Sequence, residues 1–158
     1  MDKRTIYSGL LKELKAMLEP ETDPVTILSN AAALLHERMG FFWTGFYGVR
    51  PDGSGGEELL LGPFQGPPAC MHIAFGRGVC GSAWARRETL VVPDVEQFPG
   101  HIACSARARS EIVVPLFHPG TGAVLGVLDI DSEQTDTFDA ADAEGLGEIC
   151  LFLAEKCN

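Results

Sequence analysis

The chain has 158 residues, 46% of them hydrophobic and 22% charged, which is enough for one domain with an apolar core and too short for two comfortable ones. Its formal net charge of −10, with only twelve scattered Lys and Arg residues, argues against nucleic acid as a partner, because phosphates are met by clusters of basic side chains. No apolar run approaches the roughly 20 residues of a membrane span, and the N-terminus lacks the apolar segment of a signal peptide, so we expect a cytoplasmic protein without a membrane partner.

Helical periodicity is clear at the N-terminal end of the chain. Apolar residues at helical spacing predict two helices within about residues 5–39, separated by Pro20. Asp23 followed by Pro24 is typical of a helix start, and Gly40 is typical of a helix end.

Extended segments fill the middle of the chain, over about residues 41–131, and turns rich in Gly and Pro separate them. They are predicted at residues 41–49, 58–61, 70–75, 90–92, 111–117 and 123–130. A glycine-flanked segment, GRGVCG, precedes a predicted short helix over SAWARRE. The long loop PDVEQFPGHIACSARAR follows, and a loop of that length is uncommon in a compact domain unless it is functional.

A last amphipathic helix is predicted over about residues 139–156, with a cap at Thr137 or Asp139. Helices at both ends would flank four or five strands that are mostly linked by hairpins. The predicted class is therefore α+β, an antiparallel β-sheet flanked by N- and C-terminal helices, in a single domain over residues 1–158.

Two acids close the strand in LGVLDIDSEQ. Strand alternation places Val127, Asp129 and Asp131 on one face. Glu111 opens the neighbouring strand, and a plain hairpin centred near Gly120 would place it roughly opposite Asp129. Three carboxyl groups at one end of a sheet are costly unless a proton, a cation or a substrate ammonium neutralises them. The alternatives are strand ends that point into water, or a hard metal ion, although no calcium-loop motif is present.

Three of the five cysteines lie in Gly- and Pro-rich segments, which suggests accessible thiols with redox or nucleophilic chemistry. Cys80 stands just before the predicted short helix, where backbone N–H groups and the helix dipole would favour a thiolate. From the residues alone, Cys80 is therefore the first candidate for a nucleophile. Cys104 lies in the long loop, three residues after His101, and Cys70 lies in a Pro-Pro-Ala-Cys turn.

Other roles for these cysteines remain open from the residues alone. Any one of them could be an inert small hydrophobic side chain. A zinc site has enough ligands, but it lacks a C-x-x-C pair; the candidate ligands are Cys70, His72, Cys80, His101 and Cys104. A Cys–His pair for acyl transfer could use His101.

Four segments, in the order GRGVCGSA, VVPDVEQFPGHIAC, SEIVVPLF and GVLDIDSEQTDTF, resemble the free methionine-(R)-sulfoxide reductases, which have the GAF fold. The resemblance runs from about Phe42 to the final helix. It implies reduction of free methionine-(R)-sulfoxide, as distinct from methionine sulfoxide within proteins, with thioredoxin as the electron donor. We expect no cofactor and no metal.

The resemblance also implies roles for the cysteines. Cys104, in the GHIAC segment, matches the nucleophile of the family and displaces Cys80 from that role. Cys70 matches the resolving cysteine, so the two would form a disulfide after turnover, and Cys80 matches an auxiliary cysteine. Relatives commonly have Asp after the nucleophile, where this sequence has Ser105.

Substrate contacts follow from the same resemblance. Glu111, Asp129 and Asp131 match substrate-site residues, one of which would donate the proton that the departing oxygen needs. Trp43, in the segment FFWTGFY, is a candidate wall for the substrate methyl group.

A rival function is a GAF sensory module that binds a small ligand without turning it over, since GAF folds do this widely. A thiol redox sensor that uses a Cys70–Cys104 disulfide lies between the two hypotheses. A homodimer formed through the helices is one option for the assembly.

Overall fold

One six-stranded antiparallel sheet, in the strand order β3-β2-β1-β6-β5-β4, organises the chain. The structure is a computed structural model that describes residues 1–158. Its elements are α1 (Lys3–Leu18), α2 (Pro24–Met39), β1 (Trp43–Pro51), β2 (Glu57–Gln65), β3 (His72–Ala74), α3 (Gly78–Arg86), β4 (Leu90–Val92), a 3₁₀ turn (Val95–Gln97), β5 (Ser110–Phe117), β6 (Val124–Ser132) and α4 (Ala140–Lys156). The predicted α+β class, an antiparallel sheet flanked by helices, is confirmed.

The helix ends follow the predicted capping residues. The Asp23 side chain accepts hydrogen bonds from the first turn of α2, and Gly40 ends that helix in the left-handed conformation with φ +69°. Asp139, not Thr137, caps α4, and Asp142 completes a reciprocal capping box. No helix in the structure combines the length and the apolarity that crossing a bilayer requires.

The sheet has six strands, where four or five were expected, because the three-residue strands β3 and β4 pair at its two edges. The helix predicted at SAWARRE begins earlier, at Gly78, and therefore contains Cys80. This difference matters for the site, because it moves Cys80 from a loop into a packed helix.

Alternation along the strands gives the sheet two different faces. One face packs against α1, α2 and α4 in a cluster of 21 buried residues that includes Ile112 and Leu128. The other face packs against α3 in a cluster of 12 buried residues that includes Val113 and Val127. The acids of β5 and β6 share this second face.

Helices α1 and α4 are joined by a buried polar contact. The Tyr7 hydroxyl donates to Asp142 Oδ1 at 2.6 Å, and Lys3 Nζ donates to Oδ2 of the same carboxylate at 2.6 Å. The Tyr7 ring also lies against the backbone of Gly145, where an added Cβ would be 2.5 Å from Tyr7 Cβ. This close approach of the two helices requires glycine at that position.

Two Gly→Ala substitutions in α4 test this packing. We expect Gly147→Ala to raise the free energy of unfolding by roughly 0.5–1 kcal/mol, since no atom lies within 4 Å of the added methyl and helix propensity improves. Gly145→Ala gains the same propensity but drives its methyl into Tyr7, so we expect a net loss of about 1–3 kcal/mol. Urea unfolding of the two variants measures both values, and equal stability would contradict the packing argument.

Candidate active site

Strand pairing brings the three predicted acids together on the face that α3 covers. Glu111 of β5 pairs with Asp131 of β6, and Asp129 lies two residues along the same face of β6. The predicted pairing of Glu111 with Asp129 is therefore wrong by two residues. The bulge between Leu116 and Phe117 shifts the register by one residue, and the turn that closes between His118 and Ala123 shifts it by one more. A total shift of two keeps every side chain on its face.

These carboxyl groups do not point into water. Glu111 and Asp129 are each only 6% exposed, and Asp131 is half-buried. The pKa of Glu111 is raised to about 8, mainly because the carboxyl group is buried and secondly because the Asp131 carboxyl lies next to it. Burial and the adjacent carboxyl also raise the pKa of Asp129 and of Asp131 well above their usual range. The cluster therefore holds protons near neutral pH.

One oxygen of the cluster is unpartnered. Asp129 Oδ1 is buried and has no hydrogen-bond partner. A buried carboxylate oxygen in this situation costs free energy until a proton, an ammonium or a cation meets it.

Aromatic residues of β1 form the wall beside the acids. Trp43 pairs with Asp131 across the strands and is 3% exposed, with its indole N–H donating to the carbonyl of Pro67 at 3.0 Å. Its ring lies over Gly45, where an added Cβ would be 2.5 Å from Cη2 of the indole. Tyr47, on the same face, stacks on Trp43 and was not predicted as a site residue. Strand alternation places Tyr47, two residues after Gly45, on the same face as Trp43, and this spacing could have identified it as a site residue from the sequence.

Cys70 and Cys104 form a disulfide between two segments that are 34 residues apart in sequence. Their Cα atoms are 5.5 Å apart, within the usual range for such a bond. Cys104 is exposed and Cys70 is half-buried, and the carbonyl of Cys70 accepts a hydrogen bond from the Tyr47 hydroxyl at 2.8 Å. The disulfide is thus tied to the same aromatic wall.

Cys80 does not have the accessible thiolate expected from its glycine-flanked segment. It lies in the first turn of α3, is only 4% exposed, and faces the acids. The pKa of the Cys80 thiol is raised well above its usual value, mainly by burial and secondly by the carboxyl of Asp129, because both effects disfavour the thiolate. The thiol is therefore protonated and largely buried.

His101, from the long loop, lines the cavity next to the acids. Its Nε2 lies 3.7 Å from Glu111 Oε1, and burial lowers its pKa. The loop's two arginines point elsewhere: Arg107 pairs with Glu133 and Arg109 with Glu96. They neutralise these carboxylates, not the sulfur of Cys104.

The proposed zinc ligand set is not brought together. Cys70 and Cys104 are joined to each other, and His72 lies at the edge of the sheet, where its Nδ1 is 2.9 Å from Glu58 Oε1. The described arrangement therefore contradicts a zinc site built from these residues.

A cavity of about 40 Å³ lies between these groups, which is room for roughly three water molecules. It is lined by Trp43, Tyr47, Cys80, His101, Cys104, Glu111, Asp129 and Asp131, among other residues. One concave site thus joins an exposed sulfur, two buried acids, one half-buried acid and an aromatic wall, which is a combination suited to thiol chemistry that consumes protons.

Comparisons with known proteins agree with the sequence motifs. The sequence pattern of the GAF domain family matches residues 21–154. A free methionine-R-sulfoxide reductase of Escherichia coli is 43% identical, covering 97% of this chain and 89% of its own length. Another of Saccharomyces cerevisiae is 39% identical, covering 99% and 88%. A free methionine-R-sulfoxide reductase from Neisseria meningitidis, solved in complex with its substrate, has a TM-score of 0.92 and 50% identity, covering 99% of this chain and 91% of its own.

The raised pKa values predict how stability depends on pH. Between about pH 4 and pH 8, the folded state holds protons that the carboxyl groups of the unfolded chain have already released. The stabilisation that these protons provide is complete at low pH and is lost as the pH rises to about 8. We expect the free energy of unfolding to fall over this range, by at most ~1.4 kcal/mol per pH unit for each proton held. Glu111→Gln should flatten that slope.

Urea unfolding at several pH values between 5 and 8, with the disulfide intact, measures this slope. The matched control is Glu155→Gln, which removes an exposed carboxylate of α4 and should leave the slope as in the original protein. If the slope of Glu111→Gln equalled that of the original protein, Glu111 would be ionised over the whole pH range. That result would contradict the raised pKa that its burial implies.

Proposed function

The chain belongs to the free methionine-R-sulfoxide reductase family of the GAF fold, and we propose that it reduces free L-methionine-(R)-sulfoxide to L-methionine. The observation that carries the proposal is one cavity that joins the Cys70–Cys104 pair to the acids Glu111, Asp129 and Asp131. A sensor pocket would not need both a reactive thiol pair and a reserve of protons.

The first step uses Cys104 as the nucleophile. Its thiolate attacks the sulfoxide sulfur and forms a sulfur–sulfur bond, while the sulfoxide oxygen takes up one proton and becomes a hydroxyl group. The hydroxyl group then passes to the Cys104 sulfur as the sulfur–oxygen bond of the substrate and the new sulfur–sulfur bond break, so that methionine leaves and Cys104 becomes a sulfenic acid. The substrate sulfur is reduced by two electrons, and the Cys104 sulfur is oxidised by the same two.

The proton comes from the buried acids. Glu111 is the best donor, because a carboxyl with a pKa of about 8 is protonated at neutral pH and still releases its proton readily. Asp129 and Asp131 then hold the substrate ammonium, which gives the unpartnered Asp129 oxygen a donor. Recognition of a free ammonium explains why a free amino acid is preferred over a peptide-bound one. Trp43 forms the wall for the substrate methyl group.

The second step regenerates the thiols. Cys70 attacks the sulfenic acid, water leaves, and the Cys70–Cys104 disulfide forms. Thioredoxin reduces it by thiol–disulfide exchange, becoming oxidised itself. Exposure of Cys104 permits that attack, and a reducing compartment such as the cytoplasm supplies the dithiol.

The disulfide form has a narrow cavity. A volume of about 40 Å³ is far too small for methionine sulfoxide. We infer that this form has released its product, and that reduction frees the Cys104 loop to admit the next substrate.

Two cysteine variants separate the two steps. Cys104→Ser should lower methionine release in a single turnover by more than about 100-fold, because the nucleophile is gone. Cys70→Ser should still release one equivalent but lose most thioredoxin-linked turnover, since the remaining thiol near the site, Cys80, is buried and protonated. The control is Cys157→Ser, which removes a thiol near the C-terminus of the chain. A full equivalent released by Cys104→Ser would show that another residue attacks.

Substrate selection is tested by following NADPH oxidation with thioredoxin and thioredoxin reductase. We expect turnover of free L-methionine-(R)-sulfoxide and none of the (S) epimer. The N-acetylated (R) form should lose at least about tenfold in kcat/KM, because it has no ammonium for the aspartates. Equal turnover of the acetylated form would contradict ammonium recognition. No turnover of any form, with thiols confirmed as reduced, would favour a sensor.

A further inference from the structure

A second set of donor atoms lies at the floor of the cavity and does not include the disulfide. The sulfur of Cys80 and carboxylate oxygens of Glu111 and Asp129 all lie within 4.8 Å of one another. Each residue is more than nine-tenths buried. They come from three rigid elements, α3, β5 and β6, so the fold itself brings their side chains together.

Independent support comes from Asp129. Its Oδ1 is buried and has no hydrogen-bond partner, although it lies in this group. A ligand that brings positive charge would satisfy this oxygen.

The donor types select the kind of cation. A thiolate beside two carboxylates suits a borderline or soft divalent cation such as Zn²⁺ better than Mg²⁺ or Ca²⁺, which take oxygen ligands alone. Tetrahedral zinc would set sulfur–oxygen separations of about 3.5 Å, which side-chain rotation can reach from a cluster of this size. The ring of His101, whose Nε2 is 3.7 Å from Glu111, offers a fourth donor at the edge.

We propose that Cys80, Glu111 and Asp129 form a binding site for Zn²⁺ or a similar divalent cation at the floor of the cavity. This set differs from the one considered from the sequence, because it uses neither Cys70 nor Cys104. It is therefore present while the disulfide is intact.

Binding exchanges protons for the cation. The Cys80 thiol and any protonated carboxyl release their protons when they become ligands, so the affinity rises with pH. The cation also occupies Asp129, one of the two acids that hold the substrate ammonium, so Zn²⁺ competes with substrate; this consequence alone rests on the proposed function.

Titration with Cd²⁺ tests the site, because a thiolate–cadmium bond gives an ultraviolet charge-transfer band. The protein is used in its disulfide form, without thiol reductant, so Cys70 and Cys104 cannot contribute. We expect one equivalent of Cd²⁺ to give the band and Zn²⁺ to remove it. Cys80→Ser should abolish the band, and Asp129→Asn should weaken binding by at least about tenfold. Cys157→Ser, which lacks the half-buried thiol at the end of α4, should bind as the original protein does.

Absence of the band in the original protein would overturn the proposal, as would a band that survives in Cys80→Ser or disappears in Cys157→Ser. Circular dichroism and an intact disulfide show that each variant is folded, and Asp129→Asn tests the site without changing the sulfur. No substrate is present in the titration. A protein that reduces the sulfoxide but binds no cation overturns this inference alone, and one that binds Cd²⁺ without reductase activity overturns the proposed function alone.

Discussion

Burial of Glu111 and Asp129 beneath α3 is the constraint on which the site depends. Both acids lie on strands whose backbones are fixed by pairing in the interior of the sheet, so neither can turn towards water without breaking the sheet. The charged pair is therefore unstable in isolation, and the site must contain protons or a cation. A store of protons beside a reactive sulfur is what sulfoxide reduction consumes, and the same constraint creates an affinity for positive charge.

The two faces of the sheet carry different functions, and the period of two along each strand separates them. On β5, Ile112 and Val114 join the cluster beneath α1, α2 and α4, while Glu111 and Val113 face α3. The large apolar cluster stabilises the fold on one side. This stability permits buried acids on the other side, where the smaller cluster contributes less and the acids cost free energy.

Sequence patterns predicted the face of each acid better than their pairing. Alternation placed Asp129 with Asp131, and an error of two residues in the hairpin left Glu111 on the correct face, because the period is two. The error combines a one-residue bulge at Leu116–Phe117 with a turn that closes between His118 and Ala123, and simple strand alternation predicts neither. The glycines around Cys80 led to the wrong prediction of an accessible thiolate, and the reason is a different one. Gly81 is needed where α3 crosses β3, since an added Cβ would be 2.6 Å from the carbonyl oxygen of Ala74, and this close packing buries the thiol. The pairing of Cys70 with Cys104 was implied by family resemblance alone.

The difference between Cys80 and Cys104 favours a reacting sulfur outside the sheet, as proposed for Cys104. Cys104 belongs to a segment held by local backbone bonds, such as its own N–H to the carbonyl of Ile102, and its side chain is exposed. Such a segment can rearrange at low cost, whereas a strand or the packed helix that carries Cys80 cannot. In the proposed mechanism the sulfur of Cys104 moves between substrate, Cys70 and an external dithiol, while the acids must keep their separations so that their pKa values stay raised. Movable sulfurs in loops and fixed acids on strands satisfy both demands, because the loop can open without altering the environment that holds the protons.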